Sequence, residues 1–156
     1  MFSADSSKLN IEAALCEKGE IMTSTSGISM YPMLRHRKDM VVIKKLDAPL
    51  KKHDVAVYRM PSGKLLIHRV LKVTKDCYII RGDNRLNKEY IKPEWIIGVL
   101  KEFYRNGKKY DCETNRLYKA YILFMRLTFP LRVMWHKGRK LLVKIKHLIF
   151  GKPKAK

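Results

Sequence analysis

Apolar residues in this chain come in two textures. Up to residue 110 they form short runs broken by turn-forming residues; after it they recur at helical spacing with few breaks. Segments 20–26, 40–43, 54–58, 65–71, 77–80 and 95–104 are strand-sized and rich in β-branched, aliphatic or aromatic types. Turn clusters separate them, among them Pro61-Ser62-Gly63, Thr74-Lys75-Asp76 and the hairpin signal Asn106-Gly107. Residues 5–19 read as a short helix, with Asp5, Ser6 or Ser7 as cap and Gly19 as stop. Segments 113–127 and 131–150 read as two helices parted by Pro130. In the second, Leu141, Leu142, Ile145, Leu148 and Ile149 mark one face, and Lys140, Lys144, Lys146 and His147 the others. Six or so short strands followed by helices predict a mainly β, α+β chain: a coiled antiparallel sheet or small barrel in 1–110, and a basic amphipathic helical extension in 111–156.

Composition narrows the class of protein more than its function. The 156 residues and 46% hydrophobic content suit one folded domain with a small appendage. Lys and Arg number 34 against 14 Asp and Glu, for a net charge of +20, which favours anionic partners: nucleic acid, acidic peptides or an anionic membrane face. Cys16, Cys77 and Cys112 form neither a CxxC pair nor metal-ligand spacing, so no disulfide framework, metal or cofactor is expected. Residues 1–7 lack the basic and apolar regions of a signal peptide, and no run of about 20 residues is free of charge. The expected location is the cytoplasm or the cytoplasmic face of a membrane.

Three segments carry candidate chemistry. In Ser26-Gly27-Ile28-Ser29-Met30-Tyr31-Pro32-Met33-Leu34, Gly27 permits a tight turn and Ser29 follows on an exposed bend. In Leu66-Ile67-His68-Arg69-Val70 a histidine interrupts an apolar strand, and Arg81-Gly82-Asp83-Asn84-Arg85 follows another. Each alone has a plainer explanation, as turn residues or an ordinary strand histidine. Their order matters more. A metal-free hydrolase needs an activated nucleophile, a base within reach and donors for the oxyanion, and Ser29, His68 and backbone amides would supply them.

Together the three segments resemble the signal peptidase I family, in the superfamily that includes LexA-like self-cleaving repressors. The resemblance spans about residues 20–103 and includes a looser match at His53-Asp54-Val55-Ala56-Val57. It implies a serine endopeptidase of the signal peptidase fold, with Ser29 as nucleophile and His68 where bacterial members carry a lysine base. A histidine there is similar to the endoplasmic-reticulum and archaeal branch. Asp83 falls on the acid that supports the site, with Asp54 as rival for that role and a turn or cap as the plainer account of Asp54. The backbone at Ser29 and Gly27 falls on the oxyanion hole, Gly27 standing where some members place a serine side chain. Met30 and Pro32 are expected to shape the loop. The implied substrate is a peptide or protein precursor with small residues before the cleaved bond. The family's N-terminal anchor and large inserted domain have no counterpart here, so residues 113–150 are the candidate for contact with an anionic membrane. The alternative is a non-catalytic protein on a peptidase fold that binds nucleic acid or a membrane partner. The chain lacks helix-turn-helix, zinc and RNP-type motifs, which weighs against nucleic acid.

Overall fold

A computed structural model describes residues 11–150, without the side chains of residues 140, 141 and 144–150. The caps expected at residues 5–7, and most of the apolar face expected at 141–149, therefore lie outside the described residues. Helix α1 (Ile11–Lys18) ends at Gly19, whose φ of 73° is the left-handed turn that a helix stop requires. Eight strands follow: β1 (Glu20–Ser24), β2 (Met40–Lys45), β3 (Val55–Arg59), β4 (Leu65–Val73), β5 (Tyr78–Arg81), β6 (Glu89–Ile91), β7 (Ile96–Arg105) and β8 (Lys108–Asp111). The pattern in the sequence located six of these. It did not resolve β6, only three residues long, or β8, the return arm of the Asn106-Gly107 hairpin. Both turn residues have positive φ, 50° and 75°, as that hairpin type demands.

The strands form one antiparallel sheet in the order β1-β2-β7-β3-β4-β5-β6. Its ends, β1 and β6, do not pair with each other, so the sheet is open and the small-barrel alternative falls. Strand β7 is the spine. One edge pairs with β2; the other pairs with β3 in its first half and β8 in its second. Strand β3 lies between β7 and β4 with Val55 to Tyr58 all buried, which is why it reads as a continuous apolar run and not as an alternation. One core cluster joins Leu50, Ala56, Tyr58, Val70, Tyr78, Ile80 and Ile91.

Two helices follow, α2 (Arg116–Leu127) and α3 (Phe129–Phe150). They are separate, as the sequence predicts, but the break falls at Thr128, two residues before Pro130. Pro130 sits in the first turn of α3, where a missing N–H costs nothing. Thr128 N donates to the Phe124 carbonyl at 2.9 Å and Arg132 N to the Thr128 carbonyl at 3.0 Å, so the residue between the helices is bonded to both.

The chain divides into two compact units, one ending at Lys119 and the other starting at Ala120. The boundary falls inside α2 because its first turn belongs to the sheet. The buried Tyr118 accepts a hydrogen bond from Arg69 Nη1 at 2.7 Å and meets the Phe103 ring at 6.1 Å. No helix among the described residues is long and apolar enough to cross a membrane.

Candidate active site

Ser29 lies in the loop between β1 and β2, half-buried, just after Gly27, whose φ of 98° is a conformation that side chains disfavour. The loop is pinned at both ends. Asp39, fully buried, takes the Arg35 guanidinium at 2.7 Å and that of Arg105 at 3.2 Å. Burial raises the Asp39 pKa, but these two arginines outweigh it and leave the carboxyl below its ordinary range. Arg105 Nη2 also donates to the Pro32 and Met33 carbonyls. At the other end, Asn84 N donates to the Ser29 carbonyl at 2.8 Å and Asn84 Nδ2 to the Ile28 carbonyl at 3.2 Å.

His68 sits in β4 with only 3% of its surface exposed. Its ring and the Ser29 backbone converge on Gly82. A Cβ at Gly82 would stand 2.6 Å from the Ser29 carbonyl oxygen and 3.0 Å from His68 Nε2. The structure thus brings the Ser29 loop and the histidine to one glycine, and any side chain there would drive them apart. Among the described residues the buried His68 Nε2 has no hydrogen-bond partner, and neither the Ser29 hydroxyl nor its amide has one.

The other ring nitrogen fixes the tautomer. His68 Nδ1 lies 2.8 Å from the Tyr58 hydroxyl and 3.2 Å from Glu89 Oε2. Tyr58 donates its one proton to Glu89 in a very short hydrogen bond, so toward His68 its oxygen can only accept. An ionised Glu89 also only accepts. Nδ1 must then carry the proton, and Nε2 presents a lone pair on the side that shares Gly82 with Ser29. Burial holds the His68 pKa below the ordinary value of 6.5, with Glu89 pulling part of the way back and Arg85 adding to the depression. Burial and Glu89 together push the Tyr58 hydroxyl well above its usual range, so it stays protonated.

Asp83, expected at the ring, pairs instead with Arg69. Neighbours on a strand project to opposite faces, and Arg69 follows His68 on β4. Asp83 takes the fork of Arg69, at 2.9 and 2.7 Å, with both side chains 5% exposed. The positions expected of Asp83 around the ring are filled by Tyr58 and Glu89. Asp54 is also elsewhere: its carboxylate accepts the Lys51 amide at 2.6 Å, the turn role expected of it. Of the two backbone groups expected at the oxyanion hole, the Gly27 amide is committed to His36 Nδ1 at 2.7 Å, which leaves the Ser29 amide. Met30 is buried and Met33 Sδ lies 2.9 Å from Arg69 Nη2, so both serve the loop's packing.

Tyr58 was within reach of sequence reasoning. Ala56 is the cross-strand partner of His68, and Tyr58 two residues on shares its face. Glu89 was not, since its place depends on the register of β4, β5 and β6, and β4 carries an irregularity between Val70 and Lys72. Among the described residues no three His, Cys, Asp or Glu side chains cluster as metal ligands. Burial pushes the Cys112 thiol up to about 12, which removes it as a nucleophile. Comparison with protein-family models and with curated proteins finds no match to this chain.

Proposed function

We propose that the chain is a serine endopeptidase of signal peptidase type, acting on a peptide or protein precursor. One observation carries the reading: the buried His68 Nε2, without a hydrogen-bond partner among the described residues, shares Gly82 with the loop of Ser29. Ser29 Oγ attacks the peptide carbonyl carbon as Nε2 takes its proton, and the Ser29 amide donates to the oxyanion. The C–N bond then breaks, Nε2 returns the proton to the leaving amine, and an acyl-Ser29 ester remains. Water, deprotonated by Nε2, hydrolyses the ester and restores the serine. Tyr58 and Glu89 hold the ring in the base-competent tautomer throughout and stabilise the imidazolium once it forms.

The test is a peptide library with small residues preceding one bond, incubated with the purified chain and read by mass spectrometry. Cleavage after the small residue is expected from the parent. Ser29→Ala and His68→Ala should each lower the rate by about a thousandfold or more, because the pair acts as a unit. Cleavage by folded Ser29→Ala at the parent's rate would refute the reading.

A further inference from the structure

The helices of the second unit carry large apolar side chains in the open. Phe124, Leu127, Leu131, Met134, Trp135 and Leu142 are each 59–70% exposed. Their spacing places Phe124 and Leu127 on one side of α2, and Leu131, Met134, Trp135 and Leu142 on one side of α3. The sheltered positions, Tyr121, Ile122, Met125 and Phe129, fall on the other side. The unit thus has two apolar sides, and one of them is bare.

Charge says what would cover it. Residues 120–156 contain ten Lys and Arg and no Asp or Glu. A second copy of the same surface would set these like charges against each other. Nucleic acid would match the charge but offer nothing to six exposed apolar side chains. An anionic bilayer interface matches both. Its acyl boundary takes the apolar side, and its headgroups take exposed bases such as Arg126, Lys137 and Arg139, whose long stems let them reach upward while Trp135 sits at the boundary. With 22 residues, α3 is about 33 Å long, enough to lie along such a surface.

We propose that residues 120–150 form an interfacial membrane-docking element, lying in the plane of an anionic lipid surface with Phe124, Leu127, Leu131, Met134, Trp135 and Leu142 inserted. This role does not depend on the Ser29 chemistry.

The experiment is flotation of the full chain with phosphatidylserine-containing vesicles and with pure phosphatidylcholine vesicles. Two variants accompany it: Leu131→Ser with Trp135→Ser, and Lys137→Glu with Arg139→Glu. Circular dichroism checks that each keeps its helices. The parent should float with anionic vesicles, and far less with neutral ones. Each base near the surface contributes about fivefold in partitioning, so the charge variant should bind at least about tenfold more weakly. The apolar variant should lose a comparable factor at high salt, where the electrostatic share is screened. Trp135 fluorescence should shift to the blue on binding, with a Trp135→Phe chain assigning the signal against Trp95. Three outcomes overturn the proposal: no flotation with anionic vesicles; full binding by the apolar variant; or vesicle binding abolished by duplex DNA whose own affinity ignores the apolar substitutions. Self-association that the apolar variant abolishes, with no flotation by the parent, overturns it in favour of a second copy.

Discussion

Tyr58 has one proton, and Glu89 takes it. The direction of that single bond decides which nitrogen of His68 is the base, so Glu89 is the residue on which the proposed chemistry turns. In Glu89→Gln an amide can donate to Tyr58, whose proton then swings to Nδ1 and forces the ring hydrogen onto Nε2. The base is lost although nothing moves far. The turnover rate should fall on the order of a hundredfold or more. The pH profile supplies a second readout. His68 must be neutral to act, and its pKa lies below 6.5, so the parent should stay active below that pH and fail only as pH falls through the depressed value. The carboxylate of Glu89 raises that pKa, so its removal should move the acid limb to still lower pH. An unchanged rate and profile in Glu89→Gln would remove Glu89 from the site. The same depression has a sign for stability. The folded value lies below the unfolded one, so His68's contribution is intact above 6.5 and is lost as pH falls through the folded value.

Strand alternation explains both what the sequence revealed at the level of elements and what it concealed. The apolar runs and turn residues predicted where β2, β3, β4, β5 and β7 lie, because each run is bounded by Gly, Pro, Asp or Asn. They could not say which acid would meet His68, because His68 and Arg69 are adjacent letters pointing to opposite faces. The Gly82-Asp83-Asn84 segment does three separate jobs. Gly82 leaves space between Ser29 and His68, Asp83 anchors Arg69, and Asn84 holds the Ser29 loop. Asp83 is thus an element-level fastener: through Arg69 it ties the end of β5 to β4, Tyr118 of α2 and the Met33 end of the loop. Asp83→Ala leaves a buried guanidinium without its carboxylate and should cost about 3–5 kcal/mol in urea unfolding. Ser29→Ala, at a half-buried hydroxyl with no partner, should stay within about 0.5 kcal/mol. Replacing Arg69 by Met in the Asp83→Ala chain should recover much of the loss. Equal midpoints for the parent and Asp83→Ala would show that the pair fastens nothing.

Across the whole molecule, acid and base are unevenly shared. Every Asp and Glu lies at or before Glu113, so the helical unit is basic without relief. That contrast, and the helices themselves, were legible in the sequence; the bare apolar side became visible only with exposure, since a helical stripe of leucines looks the same whether covered or open. Stability is uneven as well. Glu89 rides on β6, a strand of three residues that pairs along one edge only, whereas Tyr58 and His68 sit in the buried middle of the sheet. A short edge strand frays at a far smaller free-energy cost than the sheet unfolds. The base would then be released to its other tautomer while the protein is still native by every global measure. The site therefore has a melting point of its own. Heating should abolish turnover several degrees before far-ultraviolet dichroism changes, and reversibly. Amide exchange at Tyr90 and Ile91 should outpace that at Val57 over the same range, and turnover that survives to the global transition would show that β6 holds as firmly as the core.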